Sequence, residues 1–583
     1  MKQVHPLPQV KVKRRFVSSD LIINSFKTIE KYFDNLLQRD FNTISDLKQW
    51  LLDRSELTSV LEEDFAWRYI RMNCDTANEE LAKNYEVFIK QIEPEVAKFS
   101  NLLDEKFYQS SLREDLDNAE FLVFNRSLKA RMEIFREKNL ELISELQVEE
   151  QKYGKLSSEM TVSHKGKEIT LQEASNFIKD PNREIRKDFF KRINKRRLQD
   201  AQVLQDLLTT LLSKRHIISK NADFSNYLEY KWTDLGRFDY NIEENIQFHK
   251  SIAAEVCPIV DALLIERKKR LGLKSIRPWD LDVDSELKSP LKPFANVDEL
   301  VEKAILSFEN IRPKYGSFIR EMQKGGFFDL DSRIGKAPGG FNYPLYESNI
   351  PFIFMNATGN LRDLETMFHE GGHAIHSFLS AGQKLIEYKE LPAEVAELAS
   401  MSMELISMDQ WHNFFDSNDD LKRAKRTQLE GVLQILPWIA AVDQFQHWLY
   451  KNPDHSDEER ITAWVDIFNI FGSKMVDWED LSKEKEFMWQ KQLHIFEVPL
   501  YYIEYGIAQL GAIAVWKKYK ENPEKALDQF EAALSLGYSV PIPEIYKTAG
   551  IHFNFSQAYV KQLMDFVSTE LLKCLQCHEV IKP

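Results

Sequence analysis

The sequence feature that most constrains this chain is the pattern H-E-x-x-H within the segment from Leu361 to Ser380. It is formed by His369, Glu370 and His373. On a helix, residues four apart lie on one face, so both imidazoles can bind one metal ion while the carboxylate lies beside them. Two nitrogen ligands with an adjacent carboxylate are typical of a zinc hydrolase, in which the carboxylate accepts a proton from water. The pattern therefore predicts a metal-dependent hydrolytic site.

The segment around the pattern is predicted to be a helix. Asn360 is a typical N-cap residue, and Asp363 and Glu365 follow in the first turn, where negative charge is favoured. Apolar residues recur at helical spacing, at Leu361, Leu364, Phe368, Ile375 and Leu379.

Two adjacent glycines, Gly371 and Gly372, are unusual inside such a helix. Each costs about 1 kcal/mol relative to alanine. We therefore expect another segment, or the helix that carries a further ligand, to approach closely at this point.

His376 shares the stripe of His369 a further turn along, and we interpret it as a packing or supporting residue.

Composition excludes several classes of partner. The chain has 583 residues, is 43% hydrophobic and carries a net charge of −14, which argues against a nucleic-acid or anionic-membrane partner. Four cysteines fit a reducing compartment. No stretch approaches the roughly 18 uncharged apolar residues of a membrane span, and the N-terminus lacks the apolar segment of a secretory signal. We therefore expect a cytoplasmic protein, with its oligomeric state left open.

The order of motifs along the chain predicts two domains. Residues 17 to about 150 are typical of successive amphipathic helices. A short hairpin is predicted around Lys165-Gly166, and a capping box follows at Thr170 to Glu173. We expect an N-terminal helical domain over 1–165 and a catalytic domain over 166–583.

A strand is predicted immediately before the metal-binding pattern. Residues from Ile350 to Asn356 are aromatic and β-branched, and the polar, glycine-rich stretch from Asp329 to Gly340 is predicted to be a loop. A strand in this place can pair with an extended peptide as an added strand. The alternative is an ordinary core strand.

Two histidines leave a catalytic zinc site one protein ligand short. The next predicted helix carries Glu394, Glu397 and Glu404, and spacing alone does not choose among them. Glu397 and Glu404 lie two turns apart on one face, so one can bind the metal while the other supports it.

An aromatic segment further along offers hydrogen-bond donors. His494, Tyr501, Tyr502 and Tyr505 lie within twelve residues. In a zinc hydrolase such groups can stabilise the oxyanion of a tetrahedral intermediate. The alternative is that they are simply packed aromatic side chains.

Three motifs in order, HEGGHAIH, ELPAEVAELASMSMEL and HIFEVPLYYIEYGIAQLGA, resemble the M3 family of zinc oligopeptidases, in its oligoendopeptidase F branch. The resemblance covers most of the chain, is densest from about 200 to 560, and includes GKAPGGF, SLGYS and AGIHF. Angiotensin-converting-enzyme and M32 carboxypeptidase types also carry H-E-x-x-H, but their third motifs differ from EVAELAS.

The resemblance implies a mainly α, elongated helical zinc-metallopeptidase fold with a deep central channel and a small β-sheet near the active site. It selects Glu397 as the third ligand of one Zn²⁺ ion. It also implies that the aromatic segment faces the site, with Tyr505 first, Tyr502 next and His494 as a polar contact. The better-known mammalian-type members carry a tyrosine soon after the histidine, where this chain has Val498-Pro499.

The function implied is zinc-dependent hydrolysis of internal bonds in short peptides, with Glu370 as general base. Two alternatives remain: a carboxypeptidase on the same fold, and a catalytically inactive helical binding protein.

Overall fold

The computed structural model describes residues 13–116, 119–333 and 335–575. The described chain is mostly helical with two small sheets, which confirms the predicted mainly α fold class. None of its helices is long and apolar enough to cross a membrane. The first twelve residues, on which the expected lack of a secretory signal partly rests, lie outside the described residues.

The elements follow in chain order. The first half of the chain contains α1 Glu30–Gln38, α2 Ile44–Cys74, α3 Glu79–Val87, α4 Glu93–Gln109, α5 Leu122–Ile134, α6 Asn139–Ser158, β1 Thr161–His164, β2 Lys167–Thr170, α7 Leu171–Ser175, α8 Arg183–Gln199, α9 Ala201–Asn221, α10 Tyr227–Asp234, α11 Ile242–Glu255 and α12 Cys257–Arg270. The second half contains α13 Val297–Ile311, α14 Pro313–Gly325, β3 Phe328–Asp331, β4 Phe341–Tyr343, β5 Phe352–Ala357, α15 Leu361–Ser380, α16 Ala393–Ser407, α17 Asn418–Lys451, α18 Asp457–Phe471, α19 Ser482–Glu486, α20 Leu493–Glu497, α21 Ile503–Glu521, α22 Pro523–Ser535, α23 Ile542–Thr548 and α24 Gln557–Leu575.

Packing divides the chain into two compact units, each built from three stretches of sequence. The domain boundary that the sequence predicts between residues 165 and 166 is a different division, and it remains a prediction. The first unit comprises 1–137, 292–421 and 508–553, and the second comprises 138–291, 422–507 and 554–583.

The predicted hairpin is confirmed as the antiparallel pair of β1 and β2, with Lys165 and Gly166 at its turn in positive φ. Thr170 and Glu173 then form the predicted capping box at the start of α7. These local features follow from turn and cap chemistry, which acts over only a few residues.

The three-stranded sheet, in the first unit, has the order β3-β5-β4. β5 is the predicted strand, and it is buried over nearly all of its length. It pairs in parallel with β3 and antiparallel with β4, so both of its edges are occupied. The expectation that this strand itself pairs with a peptide is therefore wrong. The segment predicted to be a loop, from Asp329 to Gly340, begins inside β3. The edge of the sheet that contacts the helix with the H-E-x-x-H pattern is formed by β4.

Candidate metal centre and active site

The turn between β5 and α15 sets the start of the metal-pattern helix. Oδ2 of Asp363 accepts hydrogen bonds from the backbone N–H groups of Thr358, Gly359 and Asn360, at 2.7, 2.8 and 3.1 Å. The Asn360 side chain accepts the N–H of Asp363 in return, which completes a capping box. Gly359 has φ of +94°, a conformation that favours glycine. The helix thus begins at the predicted N-cap, directly behind the central strand.

α15 and α16 bring three potential metal ligands together. Oε2 of Glu397 lies 3.3 Å from Nε2 of His369 and 3.6 Å from Nε2 of His373. The ligand atoms of all three residues lie within 4.8 Å of one another, and among the described residues they form the one such group. Two imidazole nitrogens and a carboxylate oxygen fit the donor set of a catalytic zinc ion, which keeps a fourth position for water.

Charge around this group suits a cation. Burial by itself would raise the pKa of Glu397, but the neighbouring rings of His373 and His369 lower it to about 2. The carboxylate is therefore ionised at neutral pH. Burial lowers the pKa of His373 to about 4, so this ring is neutral and its nitrogen lone pair is available to a metal.

Glu404 lies two turns along α16 from Glu397 and contacts the other side of one histidine. Nδ1 of His369 donates to Oε1 of Glu404 at 2.6 Å. This bond orients the ring so that Nε2 points toward Glu397. Burial alone would lower the pKa of His369, but the carboxylates of Glu397 and Glu404 raise it well above its ordinary value. Nε2 therefore carries a proton that a bound metal ion would displace. Glu397 thus lies on the Nε2 side of His369 and Glu404 on its Nδ1 side, and the division into a ligand and a supporting residue remains a prediction.

Two other candidates from the sequence lie outside the group. Glu394 is buried one turn before Glu397, and its backbone carbonyl accepts the hydroxyl of Tyr546 at 3.0 Å. His376 is fully buried, and burial lowers its pKa to about 3. It is a neutral core residue, in agreement with its interpretation as a packing residue.

Glu370 is 5% exposed, and burial raises the pKa of its carboxyl group to about 7. A carboxyl with a pKa near neutrality can both accept and return a proton. A Cβ placed on Gly340 would lie 3.8 Å from Oε1 of Glu370, and Nδ2 of Asn342 donates to the Glu370 backbone carbonyl at 3.2 Å. The start of β4 therefore lies against this glutamate. Sequence reasoning did not assign Gly340 or Asn342 to the site, although Gly340 belongs to the motif GKAPGGF and Asn342 follows that motif directly.

The two glycines of the pattern have the close neighbours that were predicted. A Cβ on Gly372 would lie 2.6 Å from Cα of Ser400 and 2.8 Å from the backbone oxygen of Ala399, both in α16. A Cβ on Gly371 would lie 2.4 Å from the ring of Phe308 in α13. The ligand-bearing helix can approach the metal-pattern helix this closely only because residue 372 lacks a side chain.

The predicted oxyanion donors lie together in the second unit. The ring of His494 is 4.7 Å from that of Tyr502 and 5.7 Å from that of Tyr505, and the two tyrosine rings are 5.6 Å apart. Nδ1 of His494 also lies 2.7 Å from Nε2 of Gln492. The structure thus brings these side chains into one cluster, and their role toward the metal ligands remains a prediction.

A strained turn immediately precedes these tyrosines. Leu500 has φ of +64° and is fully buried, a conformation that a leucine adopts only at a cost. Its N–H donates to Oε1 of Gln446 at 2.7 Å, and its carbonyl accepts Nη2 of Arg237 at 2.5 Å. The same Nη2 donates to buried Glu504 at 2.9 Å. No local sequence signal indicated this anchoring, because its partners lie far away along the chain.

Comparison with known proteins agrees with this geometry. The sequence profile of Peptidase family M3 matches residues 176–565, and that of the Peptidase M3 N-terminal domain matches residues 20–135. An oligoendopeptidase F homolog of Borreliella burgdorferi is 21% identical over 540 residues, which are 89% of this chain and 89% of that protein. Oligopeptidase PepF of Bacillus subtilis is 23% identical over 66% of this chain and 56% of its own length.

Solved structures with the same fold include PZ peptidase A bound to an inhibitor and a putative oligoendopeptidase F. The first is 25% identical, with a TM-score of 0.89, and the match covers 94% of this chain and 97% of that one. The second is 26% identical, also with a TM-score of 0.89, and the match covers 94% and 96%. Because the family profile spans well over half of the sequence, the chain belongs to peptidase family M3, in its oligoendopeptidase F branch.

Proposed function

We propose that this chain is a zinc-dependent oligoendopeptidase that hydrolyses internal bonds of short peptides. The observation that carries the proposal is the convergence of His369, His373 and Glu397, with Glu370 on the same helix. The restriction to short peptides is supported by the names of the relatives, which are oligopeptidases and oligoendopeptidases.

The three convergent side chains would hold the zinc ion, with Glu404 keeping the His369 ring in orientation. Zinc, when bound there, would act as a Lewis acid that activates water and polarises the scissile carbonyl. Glu370 would accept the proton of the attacking water and pass it to the leaving amine. Its raised pKa supports both transfers, since a carboxyl group with a pKa of about 7 can accept a proton and give it up again near neutral pH.

A substrate peptide would lie along β4. This strand pairs with β5 on one side, and its first residues lie beside Glu370. An extended peptide that adds to the other side of β4 would carry its scissile bond past the metal ligands. Tyr505, Tyr502 and His494, in that order, are our candidates for hydrogen bonds to the developing oxyanion.

The test is the variant Glu370→Gln, assayed by mass spectrometry on a peptide library with zinc content measured in parallel. We expect full zinc occupancy and a loss of about 10²- to 10⁴-fold in kcat, the usual contribution of a general base. Glu302→Gln, an exposed glutamate of α13, is the matched control. Wild-type rates in the Glu370 variant would refute the assignment of the base.

Two further outcomes decide between the alternatives. Release of single C-terminal residues one at a time would show a carboxypeptidase instead. If the purified protein contains no zinc and cleaves no peptide in a chelator-sensitive way, this result would support an inactive binding protein.

A further inference from the structure

The accessible face of α15 carries one more group that sequence reasoning did not consider. Arg362 is the one exposed residue among the twenty of this helix, and its side chain is 74% exposed. Thr366, His369 and His373 continue the same face and are half-buried, while the residues between them are buried. Arg362 therefore lies on the stripe of the metal ligands, two turns before His369.

The distance along this stripe corresponds to a short piece of peptide. Seven residues of helix span about 10 Å. An extended chain covers that length in about three residues. A peptide whose scissile bond lies at His369 therefore brings a group about three residues away to Arg362.

The direction of β4 decides which end of the peptide this is. A Cβ on Gly340 would lie 3.4 Å from Cγ2 of Thr366, and Asn342 contacts the next turn of α15 at Glu370. β4 therefore runs along α15 in the same direction as the helix. A peptide paired antiparallel to β4 runs the opposite way, so its C-terminal part reaches Arg362.

Electrostatics favours an anion at this point. Burial would lower the pKa of the Arg362 guanidinium, but the nearby carboxylates of Glu365, Glu404 and Glu370 raise it, so the group stays positively charged. Nη1 of Arg362 forms an ion pair with Oε2 of Glu365 at 3.3 Å. An exposed guanidinium keeps further donors in its fork for a second carboxylate.

We propose that Arg362 is a specificity-determining residue that binds a carboxylate of the substrate on the C-terminal side of the scissile bond. This inference rests on the proposed peptidase function. The carboxylate is either the terminal one of a short peptide or an acidic side chain at about the third position beyond the cleaved bond. Either source offers the same bidentate partner to the guanidinium.

The experiment compares matched peptides whose cleavage sites have first been mapped. One pair differs only in a C-terminal acid or amide, and the other pair only in Asp or Asn about three residues beyond the cleaved bond. In the wild type we expect kcat/KM to favour the anionic member of at least one pair by roughly ten- to hundredfold, the range for a hydrogen bond between charged groups. The pair that responds identifies the source of the carboxylate.

In Arg362→Ala this preference should fall to near one, in Arg362→Lys it should be intermediate, and in Arg362→Glu it should reverse. Arg320→Ala removes a comparable exposed arginine of the same unit, paired with Glu309, and should keep the wild-type ratios. Ratios that are the same in the wild type and Arg362→Ala overturn the proposal. An equal loss of rate on all peptides also overturns it, since this result means that Arg362 acts only on the charge of Glu370.

Affinity provides a readout that does not need turnover. The acid and amide peptides are titrated into Glu370→Gln protein by calorimetry, with and without Arg362→Ala. If no peptide is cleaved by the wild type, the proposed function fails. Equal affinities across both peptide pairs, with Arg362 present, reject the role of Arg362 separately.

Discussion

The side chains of the candidate metal centre, on α15 and α16, and those of the aromatic cluster are held in position by different interactions. α15 and α16 pack so closely that a glycine is required at their contact, and three potential metal ligands converge there. Tyr502 and Tyr505 of the aromatic cluster instead follow a strained leucine held by distant polar side chains. The first region depends on shape and the second on a buried hydrogen-bond network. Substitutions should therefore remove the metal in the first region and lower the rate with the metal retained in the second.

The largest effect is expected at Gly372. Alanine in an exposed helix position stabilises by about 1 kcal/mol relative to glycine. Gly372→Ala should instead destabilise by about 3 kcal/mol and reduce zinc occupancy, because its Cβ would clash with the backbone of α16. Thermal unfolding and zinc content measure both effects.

Gly431→Ala is the matched control, since this helical glycine of α17 has open space around it. It should raise the unfolding midpoint. Gly371→Ala should be intermediate, because the clash there is with the Phe308 ring rather than with backbone. A more stable Gly372→Ala protein with full zinc would contradict the packing argument.

The next effect is expected at Glu404. Glu404→Gln removes the carboxylate that orients the His369 ring, and loss of such a partner lowers metal affinity by about 10- to 100-fold. Competition with a zinc chelator measures this directly. Glu302→Gln again serves as the control, and unchanged affinity in the Glu404 variant would show that the ring is oriented by packing alone.

A smaller effect with a different signature is expected at Arg237. Arg237→Lys loses the fork that binds the Leu500 carbonyl and Glu504 together, so the tyrosines lose their fixed position. We expect kcat to fall by about tenfold, or about 1.4 kcal/mol, with zinc content unchanged. Arg267→Lys is matched, because Arg267 also bonds a backbone carbonyl and a glutamate in the same unit.

The effect of Arg237→Lys should shrink in a Tyr505→Phe background if it acts through that hydroxyl. Additive losses would show that the network supports the fold and not the tyrosine. Loss of zinc in Arg237→Lys would remove the contrast between the two regions altogether.

At neutral pH the smallest effect is expected at His376, because its contribution to stability appears only in acid. Burial holds its pKa at about 3, below the ordinary value of 6.5. Between these pH values the unfolded chain binds a proton that the folded chain does not, so stability falls as pH falls, by up to about 1.4 kcal/mol per pH unit. His376→Leu should keep its zinc and lose less stability than the wild type between pH 7 and pH 4.5.

Thermal unfolding at the two pH values, with exposed His412→Gln as the control, checks this. Equal acid sensitivity in His376→Leu and the wild type would show that His376 is not the titrating group. Loss of zinc in His376→Leu would mean that the residue supports the metal site and is not only a core residue.

Much of the metal-binding region was readable from the sequence, because its signals are local. The N-cap at Asn360, the spacing of His369 and His373, and the close contact implied by Gly372 all follow from helix geometry. The choice among Glu394, Glu397 and Glu404 was left open by spacing and needed either the family resemblance or the packing of α16. Helical period states which side chains share a face, but not which face meets a neighbouring helix.

The sheet shows the same limit. The sequence of β5 predicts a strand, yet pairing partners are set by distant segments, and a central strand and an edge strand have similar composition. That is why we propose β4, and not β5, as the strand that pairs with a peptide. The sequence alone determined the H-E-x-x-H pattern, the helix that carries it and the family. Only the tertiary structure decided the arrangement of Glu397 and Glu404, the place of β4 at the sheet edge beside Glu370, and the anchored turn at Leu500, since each depends on contacts between segments far apart in the chain.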